Sequence, residues 1–69
     1  MSEHVYGITE VAGSSTSSID DAIRGAVATA AKSVRHLNWL EVVEIRGHID
    51  NDQVSHFQVV VKLGFRYEK

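Results

Sequence analysis

The sequence predicts an α+β fold in the order β-α-β-β: a three-stranded antiparallel sheet wrapped on one amphipathic helix. Three patterns carry that prediction. Ile19, Ala22, Ile23, Ala26, Val27, Ala30, Ala31 and Val34 recur at helical spacing. Phe57, Val59, Val61, Leu63, Phe65 and Tyr67 alternate with His56, Gln58, Lys62, Gly64 and Arg66. Val43, Ile45 and Ile49 share one parity before them, with Glu44, Arg46 and His48 on the other.

The first strand is expected over about residues 3–12. Tyr6, Ile8 and Ala12 take one parity and Val5, Thr9 and Val11 the other, so neither face is plainly wet. A strand of that kind is covered on both sides. Gly13-Ser14-Ser15-Thr16-Ser17-Ser18 then reads as the loop into the helix.

The helix is expected over about residues 18–36. Ser17 or Ser18 caps it by accepting from an orphan backbone N–H. Asp20 and Asp21 sit in the first turn, and Lys32, Arg35 and His36 in the last, as the macrodipole favours. The second strand is expected over about residues 39–50 and the third after Asp50-Asn51-Asp52-Gln53, making a hairpin. A three-residue loop at 51–53 places Ile45 opposite Val59 and Val43 opposite Val61. It also places Arg46 opposite Gln58 and His48 opposite His56, so apolar meets apolar and polar meets polar. One helix covers one sheet face, which leaves the Gln58, Lys62 and Arg66 face open.

The chain forms one domain over residues 1–69. So short a chain buries only about 60% of its unfolded surface. With no cysteine, neither disulfides nor thiolate zinc sites can reinforce it. Oligomerisation is the remaining device. A net charge of −2 with interspersed signs gives no footprint for nucleic acid. No stretch approaches the roughly 20 apolar residues of a membrane span. No basic region precedes an apolar run at the N-terminus, so a cytoplasmic location is expected.

The chemistry-bearing residues are few. The serine-rich loop resembles an anion cradle, but it lacks a Gly-Lys-Ser/Thr sequence, and Asp20 and Asp21 would repel phosphate. A capped loop is the simpler reading. His48 and His56 face each other, yet two imidazoles fall short of the three or four ligands zinc requires. No arrangement of serine, histidine and a third orienting group marks a nucleophile, so no catalytic residue, no metal ligand and no enzyme activity are expected. Trp39 is the one tryptophan. Its parity matches the apolar face, which favours a core role, while its place near a turn allows a bulge to re-aim the ring.

Several strings go further. Val11-Ala12-Gly13-Ser14 precedes the helix, and Asn38-Trp39-Leu40-Glu41-Val42 follows it. Ile45-Arg46-Gly47-His48, His56-Phe57-Gln58-Val59 and Gly64-Phe65-Arg66 complete the series. In that order and spacing, over nearly the whole chain, they resemble the bacterial dodecins. The resemblance implies a flavin storage and sequestration protein that is not an enzyme. It implies a hollow homododecamer built from trimers, with flavins paired between tryptophans at subunit interfaces. Trp39 matches the residue that stacks on the isoalloxazine, and Gln58 the one that bonds the pyrimidine edge. Arg46 matches a position that can meet the phosphate of FMN, which favours FMN over riboflavin. Coenzyme A is a further ligand of some bacterial members, with no residues here assigned to it. A flavin-dependent redox enzyme and a small structural module are the alternatives. Strict alternation puts Trp39 and Gln58 on opposite faces. Their meeting at one ligand then requires a bulge near residues 39–41 or contributions from different subunits.

Overall fold

The computed structural model describes residues 3–67. The elements are β1 (Tyr6–Ser15), α1 (Ile19–Ala30), β2 (Leu37–Asp50) and β3 (Gln53–Arg66). All strand pairs are antiparallel, and the sheet order β1-β3-β2 puts β3 in the centre. The expected β-α-β-β order and single helix are present. Burial follows alternation on β1, where the odd-numbered residues face α1. Ala22, Ala26 and Ala30 bring the helix down onto Val59, Val61 and Leu63, which together form the buried core. Small side chains on the helix permit that close approach. Gly13 is where it is closest: a Cβ there would overlap the Ala22 carbonyl and crowd Ala26.

β1 runs on to Ser15, so Gly13, Ser14 and Ser15 belong to the strand and not to the loop. Ser15 Oγ then organises the loop from within. It donates to Asp21 Oδ2 at 2.7 Å and accepts from the N–H groups of Ser17 and Ser18 at 2.9 and 3.3 Å. Ser18 is the N-cap, its hydroxyl accepting from Asp21 N at 3.0 Å. These serine oxygens take up the N–H groups of Ser17, Ser18 and Asp21. The capped-loop reading holds.

The helix ends six residues earlier than its stripe suggests. Lys32 N and Ser33 N bond back three residues, to Thr29 O and Ala30 O, tightening the last turn. His36, at φ 63°, takes the left-handed conformation that redirects the chain into β2. Lys32, Arg35 and His36 therefore lie past the helix, whose last turn holds no basic residue.

The hairpin turn is two residues long, Asn51 and Asp52, both at positive φ, with Asp50 opposite Gln53. The three-residue loop is thus replaced by a tighter turn plus an extra β3 residue at Ser55, where the register shifts between His48 and Ile49. The expected pairs Ile45–Val59, Arg46–Gln58 and His48–His56 all form. Val43 does not face Val61. The register shifts between Val42 and Glu44, so Val42 takes that place and Val43 is the bulged residue.

The molecule is long for its mass. Its extents are 57 × 20 × 13 Å. Its radius of gyration of 14.5 Å exceeds the roughly 11 Å of a compact chain of this length. The helix packs mainly on β1 and β3. Leu40, Val42 and Ile45 share the helix-side face of β2 and remain 41–50% exposed. Among the described residues no helix is long and apolar enough to cross a membrane.

Candidate functional site

The bulge at Val43 decides what the open face presents. One extra residue inverts the parity of the β2 residues N-terminal to it, as far as the second shift at Asn38. Trp39 therefore pairs with Gly64 and Glu41 with Lys62, while Arg46 pairs with Gln58 beyond the bulge. All of these project from the face opposite α1. The expectation that Trp39 shares the apolar face is overturned, as is its assignment to the face opposite Gln58. The irregularity lies at Val43, with a second at Asn38, and these flank the segment 39–41 named for a bulge in one of the two alternatives.

Trp39 lies flat on the strand beside it. Gly64 has no side chain, and a Cβ there would overlap the indole. Tyr6 meets the ring edge-on, with centroids 5.2 Å apart at 66°. The indole is still 41% exposed. Half-covered, braced from below and from one side, it offers its outer surface to a flat partner.

Gln58 and Arg46 form a second cluster at the other end of this face. Arg46 Nη2 bonds Glu44 Oε2 at 2.5 Å, with both side chains about half exposed. That pair holds the guanidinium over the sheet and leaves the rest of its N–H fork available. His48 Nε2 lies 3.3 Å from Gln58 Oε1. Among the described residues no group of three or more metal-ligating side chains comes together.

The two clusters share a face but not a place. Gly64 and Gln58 stand six residues apart on β3, which is roughly 20 Å of strand. Trp39 and Gln58 of one protomer are therefore not neighbours on the sheet.

The Dodecin family model matches residues 5–68, which is most of the chain. The chain belongs to the dodecin family. Dodecin of Thermus thermophilus is 46% identical over 65 residues, covering 94% of each chain. Two solved dodecin structures superpose closely. That from Streptomyces coelicolor has TM-score 0.93 and 49% identity, covering 100% of this chain and 99% of its own. That from Streptomyces davaonensis has TM-score 0.94 and 40% identity, covering 99% of this chain and 100% of its own. The dodecin fold thus accounts for the whole strand and helix arrangement described above.

Three supporting residues of the dodecin chain were given no such role from sequence, where His48 was weighed only as a metal ligand with His56. Gly64 is the floor beneath Trp39, and a glycine inside an alternating strand is a signal for close approach of another group. Glu44 and His48 bond the two candidate ligand residues at the far end. The sequence signal for Glu44 was only its parity with Arg46, which any solvated face would give.

Proposed function

We propose that this dodecin binds and sequesters flavin, FMN ahead of riboflavin, between protomers of a homododecamer built from trimers. The observation that carries the proposal is the indole of Trp39, exposed and seated flat on Gly64. An isoalloxazine stacking there excludes water and comes into van der Waals contact with an electron-rich ring, which quenches its fluorescence. Gln58 of a neighbouring protomer supplies the carboxamide that reads the pyrimidine edge. Rings covered by tryptophan on both sides leave little access for a substrate, which favours storage over redox catalysis.

Assembly has independent support. Both β1 and β2 are edge strands with unpaired backbone groups. The apolar Leu40, Val42 and Ile45 of β2 need a covering surface, as does the elongated hairpin itself. Coenzyme A does not enter this reading. A cytoplasmic site of action suits a flavin buffer and is part of the proposal.

Arg46 is the residue that distinguishes the two flavins. Riboflavin and FMN share the ring, so a preference between them arises at the phosphate. A charge-assisted hydrogen bond contributes about 1.5–3 kcal/mol, or roughly ten- to a hundred-fold in affinity. Quenching titrations should therefore show tighter FMN binding in the wild type, with a gap that narrows as salt rises. Arg46→Ala should remove most of that gap and leave riboflavin binding nearly unchanged. Equal loss of both ligands would make Arg46 a scaffold residue. A wild-type preference for riboflavin would overturn the choice of FMN.

A further inference from the structure

The hydrogen bonds around Gln58 run in one direction. Its Oε1 can only accept, so His48, 3.3 Å away, carries a proton on Nε2 and donates it. The His48 ring is held in turn by stacking on His56, with centroids 4.3 Å apart and 11° between planes. Ser55 Oγ lies 3.2 Å from the His48 carbonyl oxygen and 3.0 Å from His56 Nδ1. The hydroxyl has one proton, and the carbonyl can only accept. Ser55 therefore donates to His48 O and accepts from His56 Nδ1–H. Ser55 reaches both groups because it is the extra residue of β3 at the register shift.

This arrangement fixes more than a ring. His48 donates to the amide oxygen of Gln58, while the Arg46 guanidinium is bonded to Glu44. With its oxygen held by His48, the amide leaves its NH2 as the end that meets a ligand. We propose that His48 is the positioning residue for Gln58: it orients the carboxamide so that its NH2 selects a hydrogen-bond acceptor, a ring carbonyl or unprotonated ring nitrogen, on the ligand edge. His56 and Ser55 hold His48 in place for this role. The proposal rests on the reading of Gln58 as a flavin contact.

The test uses riboflavin, which lacks the phosphate and so leaves Arg46 aside. Quenching titrations compare the wild type with His48→Phe, Gln58→Leu and the double variant, each checked by light scattering for wild-type mass. His48→Phe keeps a flat ring to stack on His56 and loses the donor. It should bind riboflavin about three- to ten-fold more weakly, the range for one hydrogen bond. His48→Gln retains an N–H donor and should recover most of the loss. The double variant should bind no more weakly than Gln58→Leu alone, since His48 acts only through that amide. If Gln58→Leu weakens binding and His48→Phe does not, the inference fails and the flavin reading stands. Losses that add in the double variant also overturn it. Gln58→Leu without effect removes the reading of Gln58 and the inference together.

Discussion

Trp39→Ala is expected to lose most flavin binding while the chain remains folded and assembled. The indole lies on the open face, outside the buried cluster of Ala22, Ala26, Ala30, Val59, Val61 and Leu63. It touches Gly64 and the edge of Tyr6, and neither contact ties strand to helix. Buried aromatic anchors at binding interfaces typically contribute about 2 kcal/mol or more, so affinity should fall at least about thirty-fold. Flavin that still binds should recover its fluorescence, because the stacked ring that quenches it is gone. Titration by flavin emission, with circular dichroism and light scattering of the variant, measures all three effects. A variant that unfolds or dissociates without flavin would show Trp39 to be a packing residue. Unchanged quenching in an intact assembly would show that the flavin lies elsewhere.

Gly13→Ala is expected to damage the fold itself. The added carbon would overlap the backbone carbonyl of Ala22 and crowd the Ala26 Cβ. Backbone cannot swing aside as a flexible side chain can, so α1 must lift from the sheet over Val59 and Val61. Overpacking of this kind costs about 1–3 kcal/mol and here should reach the upper end. Urea denaturation should show a midpoint well below that of the wild type with a similar slope. Gly47→Ala is the control: its added carbon would stand 3.8 Å from Val54 Cγ1, an ordinary contact. Equal stability of the two variants would mean that the helix does not sit as closely on β1 as described.

How much of this was legible in the sequence depends on the side chains at each step. The centre of the hairpin was readable because polar and apolar residues alternate cleanly from Ile45 to His48 and from His56 to Val59. The pairings there follow from keeping each face uniform. The other half of β2 was not readable, because Val42 and Val43 are adjacent and alike. A bulge that chooses between two valines leaves no compositional trace, yet it turns Trp39 to the opposite face. The helix was overextended for a similar reason: Ala31 and Val34 continue its stripe, and only the left-handed His36 reveals that the chain has turned. Gly13 and its following serines have turn composition, but the strand needs the glycine for the approach of α1. The residues of the candidate site were legible through resemblance. Their arrangement, two clusters on one face separated by six residues of β3, was not.

In the proposed arrangement the assembly is part of the site. Gly64, beneath Trp39, and Gln58 stand roughly 20 Å apart along β3, so the proposal has the flavin that meets Trp39 and Gln58 shared between chains. Native mass spectrometry of the protein mixed with FMN tests this directly, because it weighs each oligomer with its ligands still attached. Flavin should be found on assemblies near twelve chains and on no monomer, even where conditions are adjusted to populate both. A monomer that retains FMN as firmly as the assembly does would contradict a site divided between protomers.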